Sequence, residues 1–174
     1  ERLLSGLNGV NWTDSIKEAQ KNWVGRSEGA IVKFKTPEGK SVEVFTTRPD
    51  TIYGVSFMVL APEHELVSEL TNEINRGKVE EYITTAERKS ERERQGEKEV
   101  TGVALGGSVL HPLTGAEIAV YIAEYVLAGY GTGAIMAVPA GDERDWKFAK
   151  HFDIEIPAIF EGVDTNEEVC TNDG

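Results

Sequence analysis

The chain has 174 residues, 40% of them hydrophobic, which is enough for one globular domain with a core of its own. Its formal net charge of −12 argues against a protein that grips nucleic acid broadly through phosphates, while leaving open a local contact with a nucleic-acid end. No apolar run approaches the roughly 18 residues of a membrane span, no signal-peptide pattern opens the sequence, and the single cysteine, Cys170, precludes an internal disulfide and fits a reducing compartment. His64, His111 and His151 stand at no ligand spacing from one another or from Cys170, so a structural metal is not expected.

Residues 1–27 carry scattered apolar anchors (Leu3, Leu4, Leu7, Trp12, Trp23, Val24) and a short predicted helix over 16–20, capped by Thr13 or Asp14. The segment reads as an arm leading into the domain. The sequence opens without methionine and finishes on Thr171-Asn172-Asp173-Gly174, so it is expected to be a piece of something longer. From Glu28 the pattern alternates. Residues 30–35 and 42–45 are predicted strands, joined by a turn over 36–40 that holds Pro37 and Gly39. The second strand delivers Thr46-Thr47-Arg48-Pro49-Asp50-Thr51, where Pro49 interrupts the ladder. Such a cluster is either an ordinary exposed loop or a place where hydroxyls beside a guanidinium receive a small polar ligand or a carbonyl.

Residues 55–60 read as a buried strand, and Pro62 starts a predicted helix through Leu66, Val67 and Leu70. A second helix is expected from Lys78 to Arg94, with Val79, Tyr82, Ile83 and Ala86 on its apolar face. Its second half, 88–94, mixes both charge signs and reads as a solvated surface. Strands follow at 100–105, 108–111 and 118–126, with the turn Pro112-Leu113-Thr114-Gly115 between the last two.

The densest stretch is 129–152. Gly129, Gly131 and Gly133 permit turns and close approach to a ligand; residues 134–138 form a small apolar strand that Pro139 ends; and Asp142 is a natural N-cap with Asp145 three residues later. Phe148, Ala149 and Phe152 recur at helical spacing beyond it. Asp145 has two readings. It is a capping-box partner, or it is a carboxylate at the edge of whatever the glycines line, since Asp142 already caps the helix and the glycines exceed what a cap requires. A last strand is expected over 154–160, then an acidic arm. Without repeats, and with strands in hairpin-like neighbours, the pattern predicts a mixed α+β fold with a largely antiparallel, barrel-like sheet and surrounding helices. No phosphate-loop, dinucleotide or serine-elbow motif appears, so composition and spacing give a candidate pocket and no reaction.

FTTRPDTIYG at 45–54 and YGTGAIMAVPAGDERDWKFA at 130–149 closely resemble the editing domain of leucyl-tRNA synthetases of the bacterial or organellar type. QKNWVGRSEGA at 20–30 and HPLTGAEIAVYIAEYVL before Gly129 support the resemblance, which covers nearly the whole chain. One position departs: the family commonly has histidine just before the first aspartate of the helix, where this chain has Gly141. The resemblance implies a domain, core 28–160 between arms 1–27 and 161–174, inserted in a class I synthetase. Its task would be to hydrolyse the aminoacyl ester of mischarged leucine tRNA, with norvaline or isoleucine as the wrong residue. It also implies that Asp145 binds the α-ammonium, that Thr46, Thr47 and Arg48 hold the ester end, and that Thr51 and Met136 shape the side-chain pocket. Tyr130 would sit beside the terminal ribose or base, and Asp142 and Val138 complete the substrate-binding set. Implied catalytic residues are Asp145, Thr47 and Arg48. The chain itself would need no cofactor or metal, ATP and Mg belonging to the full-length enzyme. Its partners would be the tRNA 3′ end and the rest of the synthetase, in the cytoplasm or an organelle, with no membrane and the piece itself a monomer. A non-catalytic alternative is a docking module for the tRNA 3′ end whose editing has decayed.

Overall fold

The computed structural model describes residues 2–24, 28–96 and 99–159. Six strands, β1 (Ala30–Lys35), β2 (Ser41–Thr46), β3 (Phe57–Leu60), β4 (Val103–Leu110), β5 (Glu117–Ile122) and β6 (Ala134–Ala137), form one sheet in the order β2-β1-β4-β5-β3-β6. Only β3 and β5 run parallel; their connection is the long excursion through the helices and β4. β3 has all four residues buried. Met58 and Leu60 enter the main core with Phe34, Val44, Leu105 and Val120, while Phe57 and Val59 enter a second core on the other face.

Helices α1 (Arg2–Gly6) and α2 (Asp14–Val24) precede the sheet; α3 (Val67–Leu70), α4 (Arg76–Glu87), α5 (Glu91–Gly96) and α6 (Glu143–His151) accompany it. Leu66, Val67, Leu70 and Val79 close the main core. The second core belongs to α6: Phe148 stacks on Phe57 at 5.1 Å between ring centroids and meets Tyr121 edge-on at 5.4 Å.

The hairpin over 30–46 forms as the alternation predicts, in the register Ala30↔Thr46 to Lys35↔Ser41. Several elements differ. The helix expected over 16–20 is the longer α2. The chain after Pro62 turns instead of coiling, because the Leu66 N–H is taken by His64 Nδ1 at 3.2 Å; only Val67–Leu70 is helical. The helix expected to Arg94 breaks at Arg88, and Ser90 caps a new one: its Oγ bonds Glu93 Oε2 at 2.7 Å and accepts from the Glu93 N–H at 3.3 Å, while its own N–H reaches Glu93 Oε2 at 2.8 Å. The two strands expected at 100–105 and 108–111 are one, β4, carried past a bulge by Gly106 at φ 81°. The strand expected over 118–126 stops at Ile122. Residues 154–159 are not a strand, and residue 160 and the arm over 161–174 lie outside the described residues.

The sheet is not a closed barrel. β2 and β6, at the two ends of the strand order, come close together, but no ladder joins them. A four-residue β6 ended by Pro139 is too short to zip against β2 along its length.

Candidate functional site

The open seam between β2 and β6 is where the chemistry-bearing residues collect. At the end of β2 the chain enters a 3₁₀ turn, Pro49–Gly54, locked from within. Thr46 Oγ1 accepts the Arg48 N–H at 3.0 Å, and Thr51 Oγ1 donates to the Arg48 carbonyl at 2.9 Å. The Thr51 hydroxyl proton is therefore committed to the backbone, which fixes the side chain's rotamer. Buried His111 fixes the same turn from the far side. Its Nδ1 accepts from the Leu113 and Thr114 N–H groups at 3.2 Å each, which leaves Nε2 to carry the proton and donate to the Ile52 carbonyl at 2.9 Å. Arg48 forks onto Asp50, Nη2 to Oδ2 at 2.9 Å and Nε to Oδ1 at 3.1 Å, and that hydrogen bond holds the Asp50 carboxyl below the usual range.

On the opposite wall, Asp142 caps α6, its Oδ1 accepting the Arg144 N–H at 2.9 Å and the Asp145 N–H at 3.0 Å. Asp145 does not cap: its side chain turns toward the strand. Oδ2 accepts the N–H of Val138 at 2.9 Å, the first residue past β6, and Oδ1 lies 3.5 Å from the Tyr125 hydroxyl. Only 7% exposed, the Asp145 carboxyl is pushed up to about 7, first by burial and then by the neighbouring Asp142 charge; the Val138 N–H pulls the other way. Burial also raises the Tyr125 phenol. The Arg144 guanidinium lies over the Tyr125 ring at 5.2 Å.

Two adjoining hollows lie at the seam. The smaller, about 250 Å³, is lined by Thr46, Thr47, Arg48, Thr51, Met136, Val138, Gly141, Asp142, Asp145 and Ile159. The larger, about 670 Å³, shares Thr46, Thr47, Met136, Asp142 and Asp145 with it and adds Phe45, Tyr125, Leu127, Arg144 and Tyr130, the last 82% exposed. The structure thus brings together eight of the nine residues singled out from sequence in one hollow and sets Tyr130 in the adjoining one. Sequence reasoning missed Ile159, which packs over Gly54 and beside Gly141, and it missed Tyr125 and His111. Ile159 gave no signal of its own because it sits in an apolar run, 154–160, that reads as a strand.

A mixed α+β domain with an unzipped seam thus sets a buried carboxylate and aliphatic groups opposite threonines and an arginine around a preformed hollow, the character of a small-ligand site. Residues 21–173 match the family described as leucyl-tRNA synthetase, editing domain. The chain is 53% identical over 169 residues to the leucine–tRNA ligase of Parabacteroides distasonis, 97% of this chain and 18% of that protein. It is 58% identical over 161 residues to that of Porphyromonas gingivalis, 91% of this chain and 17% of that protein. A leucyl-tRNA synthetase from Agrobacterium radiobacter K84, solved as a ternary complex with tRNA and LeuAMS, superposes with a TM-score of 0.76 at 34% identity, over 95% of this chain and 21% of that one. The chain belongs to the leucyl-tRNA synthetase editing-domain family. It spans about a fifth of the length of the curated relatives it matches.

Proposed function

We propose that the seam hollow hydrolyses the ester joining a noncognate amino acid to the 3′ end of leucine tRNA. The observation that carries this reading is the convergence of Asp145, Thr51, Met136 and Val138 on one hollow of about 250 Å³ beside Thr47 and Arg48. The need for such a site is physical: one methylene in an apolar pocket discriminates by only ~1–3 kcal/mol, so a synthetase for an aliphatic amino acid requires a second sieve.

Every aminoacyl ester brings an α-ammonium. A carboxyl held near neutrality by burial gains most from an arriving cation, which favours its ionised form and replaces the water it has lost. Asp145 is fixed for that role by the Val138 N–H on one oxygen. With the ammonium anchored, the ester carbonyl falls toward the Thr46–Arg48 corner, where hydroxyls and a guanidinium are present to bind it. Hydrolysis then consists of water attacking the carbonyl carbon, collapse of the tetrahedral adduct, and departure of the ribose oxygen with a proton. Positioning dominates, with a vicinal ribose hydroxyl as a source of further hydrogen bonding. Tyr130, exposed where it lines the larger hollow, would meet the terminal nucleoside. The ATP and Mg of the synthetic reaction would be held by parts of the synthetase outside this chain.

The test is deacylation by a synthetase carrying this chain. Norvalyl- and isoleucyl-tRNA should be hydrolysed and leucyl-tRNA spared; an enzyme that binds all three and hydrolyses none would make the domain a docking module.

A further inference from the structure

Arg94 lies in the charge-mixed run 88–94 and is only 5% exposed. The Ser90–Glu93 capping box starts α5 in the phase that turns this side chain inward. Its Nε donates to the Glu124 carbonyl at 3.0 Å, Nη2 to the Val126 carbonyl at 3.2 Å, and Nη1 to Glu63 Oε1 at 2.5 Å. The two carbonyls belong to the residues on either side of Tyr125. Tyr82 and Lys89 also tie this segment, through the Glu124 N–H and carboxylate, but both act before Tyr125. Arg94 reaches past it.

We infer that Arg94 is a positioning residue of the seam hollow: by clamping the carbonyls that bracket Tyr125, it fixes that side chain against Asp145. The role rests on the function proposed for that hollow. Arginine is required because a planar fork serves two carbonyls and a carboxylate at once, whereas a single ammonium cannot span them. Loosening the clamp frees the Tyr125 ring, and with it one wall of the larger, adjoining hollow and one contact to the Asp145 carboxyl that lines both hollows and receives the ammonium.

The test uses the full-length synthetase with 3-fluorotyrosine at position 125, read by fluorine NMR, and single-turnover deacylation of isoleucyl-tRNA. In Arg94→Lys the fluorine line should broaden or split, and the deacylation rate constant should fall at least fivefold with half-saturation changed less than twofold. In a Tyr125→Ala background the same substitution should alter the rate less than twofold, a non-additivity that general destabilisation would not give. Should the lysine variant unfold, Glu63→Gln, which weakens the clamp and keeps the fork, must still broaden the line. An unchanged fluorine line or effects that multiply would overturn the clamp. A wild-type enzyme that spares isoleucyl-tRNA would overturn the editing reading and this role with it.

Discussion

If the hollow edits mischarged tRNA as proposed, discrimination falls to Thr51, because right and wrong esters share the ammonium, the ester and the adenosine. Only the aliphatic wall can separate them, and it must do so by collision. With Oγ1 bonded to the Arg48 carbonyl at 2.9 Å, the Thr51 side chain is held in one rotamer where it lines the hollow. Thr51→Ala removes the obstruction, and the synthetase should then hydrolyse leucyl-tRNA. Thr51→Val keeps the shape and loses the hydroxyl's bond, so it should still spare leucine at a cost of about 1 kcal/mol in stability; deacylation of leucyl-tRNA by the two variants side by side decides. Asp145 makes a pH prediction. Its carboxyl titrates at about 7 when folded, against an ordinary value near 4, so folding disfavours its ionisation. Relative to Asp145→Asn, wild type should be at its most stable below pH 4 and lose that advantage as pH rises through 7, read from the difference in Tm at pH 5 and pH 8.

At the scale of elements, α6 couples core to site. Phe148 anchors it against Phe57 and Tyr121, and Phe148→Ala should cost about 3–5 kcal/mol by chemical denaturation. Asp142→Ala removes the cap on two N–H groups and should cost about 1 kcal/mol. Elements governed by short-range rules were legible in the sequence: the alternation over 30–46, the Asp142 cap, and the TTRPDT and glycine-rich clusters that flank the seam. What escaped depends on long-range placement. Nothing local says that β3 pairs in parallel with β5, that β2 and β6 approach without zipping, or that Ile159 returns over Gly54. Arg94 looks solvated in the sequence because its run mixes charge signs, although Ser90-x-x-Glu93 is a local sign that a helix restarts there.

For the whole molecule, the net charge of −12 bears on nucleic acid. If the hollow takes a tRNA end, most phosphate contacts must be made elsewhere in the synthetase, so the isolated chain should bind tRNA weakly, with a shallow dependence on salt. The isolated chain should also show no leucine-dependent exchange of pyrophosphate into ATP, since no nucleotide-binding motif is present; detectable exchange would refute the division of labour. The account stands or falls on Asp145 as the ammonium's partner. The direct measurement is single-turnover hydrolysis of isoleucyl-tRNA by the synthetase and its Asp145→Ala variant, with Tm recorded on the same samples. The account predicts loss of hydrolysis in a folded variant whose leucylation is retained, because Asp142 still caps α6. Hydrolysis at the wild-type rate, with only a lowered Tm, would make Asp145 a structural residue and contradict it.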